Sequence, residues 1–419
     1  MTDRRDGPFC VVVGAGPAGL MAADALTRAG ARVTIYDHRP SPARKLLMAG
    51  RGGLNLTHSE PLELFLNRYG AAAPHLEPFL RAFPPRRLRE FCAELGEPTF
   101  VGTSGRVFPK SFKAAPLLRA LLARLVAQGA HFEMRCEFAG LTGERGLLMR
   151  RADGALFEIA PEAVVLALGG ASWPRLGSDG AWVAPLEAGG VAITPLRPAN
   201  CGALLDWSPF FRSAFEGQPL KTVRARHGEL LARGDLVVTR SGLEGGPIYA
   251  LSSRLGAAVE QAGATTLWLD LRPDAQVADL TRKLERRQPK QSLATALRKG
   301  LRLGKLEIAL LHESQPAGLP RETATLAELV KTLPLTVLGV ADFARAISTS
   351  GGVRFDELDS RLMLKARPGL FLAGEMLDFD APTGGYLLQA AFSTGYAAGL
   401  GAARFAGLEQ PRGINDASE

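Results

Sequence analysis

FCVVVGAGPAGL, residues 9–20, is the stretch of sequence that decides the fold. A short apolar run rich in β-branched residues comes first and predicts a buried strand, and a Gly-x-Gly-x-x-Gly turn follows it at once. Residues 20–28 have helical composition, and RVTIY (residues 32–36) predicts a second strand that ends at Asp37. Strand, glycine turn, helix and strand in this order predict the first half of a doubly wound α/β domain.

The glycine turn predicts a binding site for a dinucleotide. Gly14 would permit the tight turn, Gly16 would let the backbone approach a pyrophosphate, and Gly19 would let helix and strand pack closely. The helix N-terminus would offer N–H groups and a partial positive charge to the phosphates. Asp37 follows Gly14 by 23 residues, about where a ribose-binding carboxylate belongs.

Length and composition bound the class of protein. The chain has 419 residues, enough for two or three domains, and 46% of them are hydrophobic, which is ample for a core. The net charge is +8, and the basic patch from Arg282 to Lys290 is interpreted as a solvated helical face rather than as a nucleic-acid surface. The four cysteines form no CxxC pair, which disfavours a dithiol–disulfide reductase and a zinc cluster, and we expect no metal site. Residues 1–8 are polar and no apolar run has the length of a membrane span, so we expect a cytoplasmic protein with no membrane partner.

Two segments after Asp37 have patterns that predict contact with a ligand: a loop laid along an anionic cofactor, and a strand that ends at the ligand. The first, RKLLMAGRGGLNLT (residues 44–57), combines cations that can meet phosphates with a glycine cluster that lets the main chain come close. The second is the continuous apolar run 163–168, which predicts a buried parallel strand ending at Gly169 and Gly170.

The end of the chain repeats this chemistry. Residues 369–373 predict a strand that ends in Gly374 and Glu375, and a glycine pair then opens a helix over residues 387–406. The carboxylate could accept hydrogen bonds from ribityl or ribose hydroxyls. The helix N-terminus could face the edge of a flavin ring where negative charge collects on reduction.

The middle of the chain has a different texture. Residues 201–271 contain short β-like runs broken by Gly and Pro, which predict a small antiparallel sheet or barrel inserted into the first domain. Residues 277–313 are Arg- and Leu-rich and predict a small helical subdomain.

Taken together, these motifs resemble the BaiN/YhiN-like family of FAD-dependent oxidoreductases, to which aminoacetone oxidase is related. The segments that carry the resemblance are residues 14–19, 44–58, 104–113, 167–180 and 350–389. The resemblance implies an α/β fold: a glutathione-reductase-like FAD-binding Rossmann domain with an inserted β-barrel domain and a small helical subdomain. The expected domains are 1–194 with 341–419 for FAD, 195–275 with 325–340 for the barrel, and 276–324 for the helices.

The resemblance and the motifs together assign the residues that would contact FAD. They are Gly14, Gly16, Pro17, Ala18, Gly19, Asp37, Arg44, Lys45, Arg51, Gly52, Asn55, Leu56, Phe138, Ala167, Gly169, Gly170, Gly374, Glu375, Gly385, Tyr386, Leu387 and Leu388. By the resemblance, Phe138 would offer its backbone to adenine. Leu54 and Leu387 stand where many members have Cys and Asn, which makes the expected pocket less polar near the flavin and identifies a divergent member.

We expect an enzyme in which the flavin carries hydride or electrons for a small-molecule substrate, in a monomer or a homodimer. No catalytic side chain is assigned. An NAD(P)H-linked reductase is favoured over an amine-type oxidase that uses oxygen. A second Gly-x-Gly-x-x-Gly turn is absent, so NAD(P)H would dock only transiently, as a co-substrate at the flavin. A non-catalytic flavin-binding or RNA-associated factor is a second hypothesis and an NAD-only Rossmann enzyme is a third, and nucleic acid is the less favoured partner.

Overall fold

The structure is a computed structural model, and it describes residues 7–288 and 291–409, apart from the side chain of Arg51. The chain forms two compact units. The first is built by both ends of the chain, up to Leu196 and again from Thr349, and the second is the insertion Arg197–Ser348. The sequence placed these two boundaries at residues 195 and 341.

Both helices and strands occur before the insertion, and the last of these strands runs three residues into it. The strands are β1 (Phe9–Val13), β2 (Arg32–Asp37), β3 (Thr57–His58), β4 (Thr99–Val101), β5 (Arg106–Pro109), β6 (His131–Met134), β7 (Cys136–Thr142), β8 (Gly146–Arg151), β9 (Leu156–Ile159), β10 (Ala163–Leu166) and β11 (Ile193–Ala199). The helices are α1 (Pro17–Arg28), α2 (Arg44–Ala49), α3 (Leu62–Leu66), α4 (Ala73–Ala82), α5 (Pro85–Glu94), α6 (Ala114–Ala127) and α7 (Val183–Ala188).

The insertion is built around an antiparallel sheet. Its strands are β12 (Ala203–Leu204), β13 (Pro219–His227), β14 (Leu230–Thr239), β15 (Gly242–Glu244), β16 (Thr265–Asp270), β17 (Leu333–Val337) and β18 (Gly339–Val340). Its helices are α8 (Pro209–Phe215), α9 (Gly246–Ala262), α10 (Val277–Glu285), α11 (Leu293–Gly300), α12 (Lys305–Ser314) and α13 (Thr323–Lys331). The chain then returns to the first unit with β19 (Ser348–Val353), β20 (Leu370–Leu372) and α14 (Tyr386–Phe405).

A five-stranded parallel sheet in the order β20-β10-β1-β2-β6 is the centre of the first unit. The apolar residues of β1 and β10 are buried, as expected for parallel strands covered on both faces. After β2 and β6 have been added on one side of β1, the chain adds β10 and β20 on the other. This reversal next to β1 is the point where doubly wound sheets bind ligands, at the carboxyl ends of the strands.

Helices α1 and α14 pack on this sheet and join the two ends of the chain. A Cβ atom added to Gly395 would lie 2.2 Å from the carbonyl oxygen of Ala18, and one added to Gly399 would lie 2.6 Å from that of Ala22. The two helices therefore approach so closely that these positions of α14 accept only glycine.

The sheet of the second unit has the order β17-β16-β13-β14-β15-β12-β18. Its two edge strands, β17 and β18, are consecutive in the chain and are separated only by Leu338, so the sheet curls until its edges meet, as in a barrel. The leucines of α10 to α13 and the inward residues of the sheet belong to one hydrophobic core. The division of this unit into a barrel and a helical subdomain at 276–324 stays a prediction.

Helix α9 corrects one sequence expectation. Only short strands were expected between residues 201 and 271, but residues 246–262 form a 17-residue helix that buries Ile248, Leu251 and Leu255 against the sheet. Ile248, Leu251 and Leu255 follow the helical pattern i, i+3 and i+7, which lies here between short β-like runs.

Within residues 7–288 and 291–409, no helix combines the length and the hydropathy that a membrane crossing requires.

Candidate functional site

The carboxyl edge of the parallel sheet brings together segments from both ends of the chain. The amide of Gly14 donates to the carbonyl of Tyr36 at 2.7 Å, and that of Ala167 donates to the carbonyl of Val13 at 2.8 Å. The amide of Ala373 donates to the carbonyl of Leu166 at 3.0 Å. The ends of β1, β2, β10 and β20 therefore lie side by side, and the loops that leave them meet at one edge.

Of the three glycines in the turn after β1, only the middle one has room for a side chain. Gly14 has a φ of +105°, and a Cβ there would lie 2.2 Å from the carbonyl oxygen of Ala167. A Cβ on Gly19 would lie 1.8 Å from the carbonyl oxygen of Gly14. A Cβ on Gly16, in contrast, would meet no atom within 4 Å. Gly14 and Gly19 are thus required by packing, whereas Gly16 keeps a space clear beside the first turn of α1.

Asp37 is fixed beside this turn by the backbone. Its Oδ2 accepts a hydrogen bond from the amide of Ala15 at 2.8 Å, and its Oδ1 accepts from the amide of Arg39 at 2.8 Å. Each carboxylate oxygen has a second lone pair, so the group can still accept from a ligand hydroxyl.

A half-buried ion pair links α2 to the end of β20. Nζ of Lys45 donates to Oε2 of Glu375 and to Oγ of Ser172, at 2.6 Å in each case. Oε1 of Glu375 accepts from the amide of Thr349 at 3.1 Å. The hydroxyl of Thr349 in turn accepts from the amide of Ala171 at 2.8 Å. The loops after β10 and β20 are therefore held together by one polar network.

The segment around Asn55 lies against the start of α14. A Cβ on Gly385 would lie 2.5 Å from Cα of Thr57, so the two backbones are in direct contact. Oδ1 of Asn55 and Oγ1 of Thr57 are buried and have no hydrogen-bond partner within the described residues. A buried amide oxygen without a donor is costly, and a ligand that donates a hydrogen bond there would satisfy it.

Tyr386, the first residue of α14, is held in a network of aromatic and charged side chains. Its hydroxyl donates to Oε1 of Glu60 at 2.6 Å, and its carbonyl accepts from the hydroxyl of Tyr69 at 2.8 Å. Arg68 forms a two-pronged ion pair with Glu60 at 3.1 and 2.7 Å. The ring of His58 stacks on that of Tyr386, with 5.7 Å between centroids.

The charges of this network fix its protonation. Burial, and next the hydrogen bond to the Glu60 carboxylate, raise the pKa of Tyr386, so its hydroxyl stays protonated. Burial by itself raises the pKa of Glu60, but the hydrogen bonds from Arg68 and Tyr386 outweigh it, and the net pKa is lowered. The network therefore places a neutral phenol and a carboxylate at the start of α14.

The remaining residues that the sequence assigned to the cofactor lie in several different elements. Phe138 is buried in β7, in the separate β7-β8-β9 sheet, where the ladder with β8 is irregular just after it. The side chain of Arg51 lies outside the described residues. The other predicted residues have these positions: Pro17 and Ala18 in the first turn of α1, Arg44 at the start of α2, Gly52 in an exposed turn, Leu56 donating to Val107, Gly169 accepting from Trp182, Gly170 beside Thr349, Gly374 donating to Thr394, and Leu387 and Leu388 in the first turn of α14.

Sequence reasoning did not find several residues of these networks. Ser172, Thr349, Glu60, Arg68 and Tyr69 have no motif of their own, and their partners lie up to several hundred residues away. Of these, Ser172 alone falls inside a segment that carries the family resemblance, residues 167–180. In the described part of the chain, no three His, Cys, Asp or Glu side chains come together as a metal site would require.

The residues present fit FAD. The space kept clear at Gly16 suits a pyrophosphate, and the carboxylate of Asp37 next to it suits a ribose. The unpartnered oxygen of Asn55 beside the N-terminus of α14 suits the polar edge of a flavin.

Comparison with known proteins agrees with this fit. The model of the HI0933-like protein Rossmann domain matches residues 9–401. The chain is 28% identical over 409 residues to 3-dehydro-bile acid delta(4,6)-reductase of Clostridium scindens, covering 94% of this chain and 98% of that one. It is 25% identical over 406 residues to ribosomal RNA dihydrouridine synthase of Haemophilus influenzae, covering 94% and 98%.

A solved structure has the same fold at lower identity. It is 3-ketosteroid-delta4-(5alpha)-dehydrogenase from Rhodococcus jostii RHA1 in complex with 4-androstene-3,17-dione, at 17% identity and a TM-score of 0.51, covering 96% of this chain and 98% of that one. The resemblance found in the sequence and the expected α/β Rossmann fold are confirmed. The chain belongs to the HI0933-like Rossmann family and is an FAD-dependent oxidoreductase.

Proposed function

We infer that the protein is a reductase that takes hydride from NAD(P)H and saturates a carbon–carbon double bond conjugated with a carbonyl group. The observation that carries the FAD part of this proposal is the edge of the parallel sheet, where an open glycine turn, a fixed carboxylate and an unpartnered amide oxygen meet. When bound, FAD supplies the two-electron carrier between the nicotinamide and the substrate.

The proposed FAD site assigns a task to each part of this edge. The turn Gly14–Gly19 receives the pyrophosphate on the first N–H groups of α1, and Asp37 accepts from the adenosine ribose. The pair Lys45 and Glu375 fastens the loops that flank the sugar chain. Asn55 and the first turn of α14, including Tyr386, adjoin the ring. The other sequence-predicted contacts belong to the same proposal.

The direction of the reaction is supported by the relatives. The names of the bile-acid enzyme and of the dihydrouridine synthase both describe saturation of a double bond. In a 3-oxo-delta(4,6) steroid and in uracil, that double bond is conjugated with a carbonyl group, which accepts the developing negative charge when hydride adds. One hydride from NAD(P)H and one proton from water balance the reduction and leave NAD(P)⁺.

The way in which NAD(P)H would bind follows from the glycine pattern. Gly189–Gly190 and Gly351–Gly352 do not form a second Gly-x-Gly-x-x-Gly turn. The nicotinamide would therefore bind next to the flavin only transiently. This predicts that NAD(P)⁺ dissociates before the substrate binds.

An anaerobic absorption experiment tests this proposal. The FAD-loaded protein is titrated under argon with NADPH and then with NADH, and 4-androstene-3,17-dione or an oligouridylate is added after the flavin bands have bleached. Bleaching by a pyridine nucleotide, followed by recovery of the oxidised bands on addition of a conjugated carbonyl compound, is the expected result. Free FAD in the same buffer is the control for direct reaction.

Two outcomes would reject the proposal. Flavin bands that stay oxidised with both nucleotides but bleach with an organic amine, and recover only in oxygen, would identify an amine-type oxidase. Flavin bands that respond to none of these compounds would identify a non-catalytic flavin protein.

A further inference from the structure

Three phenylalanine rings form a partly exposed cluster close to the candidate site, and we call Phe100, Phe108 and Phe112 the aromatic patch. Phe100 lies in β4, Phe108 in β5, and Phe112 in the loop that follows. Their ring centroids are 5.0 to 6.3 Å apart and their planes lie within 33° of one another. Phe100 is 38% exposed and Phe112 is 45% exposed, although such rings are normally buried.

The patch is attached to the loop that contains Asn55. A Cβ on Gly53 would lie 2.4 Å from the ring of Phe112, and the amide of Leu54 donates to the carbonyl of Phe112 at 3.2 Å. Phe112 has a φ of +61°, a conformation that costs free energy for a residue other than glycine. The backbone is thus held in an unfavourable conformation that keeps a large apolar ring in solvent beside the candidate cofactor loop.

The segment that contains Phe108 and Phe112 also contains three cations that have no ion-pair partner in the described part of the chain. Arg106, Lys110 and Lys113 are exposed, and within residues 7–288 and 291–409 none of them forms an ion pair. Residues 98–130 contain no Asp or Glu at all, so the sequence near the patch is uniformly basic.

We propose that the aromatic patch and these three cations bind single-stranded RNA and present one of its bases to the candidate site. Exposed, nearly parallel aromatic rings next to unpaired cations are the combination that binds unstacked bases and their phosphates. The inference rests on the proposed function, since uracil is one of the two conjugated carbonyl systems that the relatives indicate. A small carboxylic acid would occupy one cation, whereas three unpaired cations in the same segment as the aromatic rings match a polyanion with several planar groups.

The second basic segment of the chain supplies a matched control. Arg282, Arg286 and Arg287 are exposed, like the cations of the patch, but residues 282–290 contain no aromatic residue. Replacing these three arginines removes the same charge from the other unit of the protein.

The test measures binding of the full FAD-loaded chain to a labelled oligouridylate of about 12 nucleotides by fluorescence anisotropy over a series of salt concentrations. Phe100→Ala and Phe112→Ala should each weaken binding by about 5- to 150-fold, whereas Phe112→Trp should retain it. The triple variant R106Q/K110Q/K113Q should reduce the slope of log K against log salt by about 2, because each phosphate contact on a single strand contributes about 0.7. Visible flavin absorbance shows that each variant is folded and loaded.

The control decides whether the effect is local. R282Q/R286Q/R287Q should leave the affinity of the oligouridylate within about twofold of wild type at physiological salt. Equal losses in both triple variants would show that RNA responds only to net charge and would overturn the inference, as would unchanged binding in the alanine variants. Absence of RNA binding together with reduction of 4-androstene-3,17-dione would reject the RNA surface and leave the reductase proposal standing. RNA binding without any reduction that depends on a pyridine nucleotide would reject the reductase proposal and leave the RNA surface standing.

Discussion

Gly16→Val separates binding of FAD from folding, because Gly16 is the position of the glycine turn where an added side chain finds open space. A Cβ there meets no atom within 4 Å, and the residue has an ordinary extended backbone with φ −83° and ψ −178°. The next residue is Pro17, and a residue before proline favours this conformation whether or not it has a side chain. We therefore expect the free energy of unfolding of the apoprotein to change by no more than about 0.5 kcal/mol.

The effect on FAD should be large. If the valine side chain prevents two charge-assisted hydrogen bonds between the turn and the pyrophosphate, each worth about 1.5 kcal/mol, binding weakens by about 3 kcal/mol. This corresponds to a dissociation constant more than about a hundredfold higher. The purified variant should be colourless under conditions in which the wild-type protein is yellow.

The assay combines thermal unfolding of the apoprotein with titration of FAD by flavin fluorescence. Gly246→Val is the matched control, because Gly246 also precedes a proline at the start of a helix and also has open space around its Cβ, but lies in the other unit. It should bind FAD as the wild type does. A Gly16→Val protein that retains wild-type affinity for FAD would refute the assignment of the turn to the pyrophosphate.

Three further predictions concern the polar networks of the first unit and the four cysteines of the chain. Glu375→Ala should lower the free energy of unfolding by about 2 kcal/mol and weaken FAD binding, because it removes the acceptor of Lys45 and of the Thr349 amide. In chemical unfolding, the double variant with Lys45→Met should lose less free energy of unfolding than the sum of the losses in the two single variants. Because the pKa of Glu60 is lowered in the folded protein, its ionised carboxylate stabilises the native state above the ordinary value of 4.5, and this stabilisation is lost as the pH falls below that value. In thermal unfolding, Glu60→Gln should therefore be less stable than the wild type at pH 7 and as stable as the wild type in acid. The four cysteines are buried, and burial is the main cause that raises the pKa of Cys10 and of Cys92 to about 12, so a thiol reagent should count none in the native protein and four in guanidinium.

Each of these has a clear contrary result. If the losses of unfolding free energy caused by Lys45→Met and Glu375→Ala simply add in the double variant, the two side chains do not stabilise the protein through their ion pair. A difference between Glu60→Gln and wild type that grows toward low pH would reverse the sign of the argument. Rapid labelling of a native thiol would show that the core around it opens.

Local patterns predicted much of the first unit from sequence alone. The run 9–20 contains strand, turn and helix within one stretch, so each part supports the others without any distant contact. Helix α9 was missed although its apolar residues follow a helical period, because the β-like runs on both sides of it, broken by Gly and Pro, favoured a small sheet over the whole stretch 201–271. The sequence interpretation followed local residue composition, whereas burial of the apolar face of α9 against the sheet stabilises the helix in the structure.

Contacts between distant segments were beyond the reach of sequence reasoning. Lys45 and Glu375 were each expected near the cofactor, but nothing in the sequence indicates that they bind each other across 330 residues. The same holds for Tyr386, whose partners Glu60 and Tyr69 lie between β3 and α4 in a stretch that carried no motif. The roles of these residues toward FAD stay predictions until the variants are measured.

The packing of α1 on α14 through Gly395 and Gly399 has a consequence for biosynthesis. Ala18 leaves the ribosome long before Gly395 has been translated, and at about 5 to 20 residues per second the delay is roughly 20 to 75 s. During that time the nascent N-terminal helix lacks the partner that packs against it, and the whole inserted unit is synthesised within this interval. Completion of the cofactor unit is therefore a late event that follows synthesis of α14, and a premature stop before residue 386 leaves α1 without the helix that packs against Ala18 and Ala22.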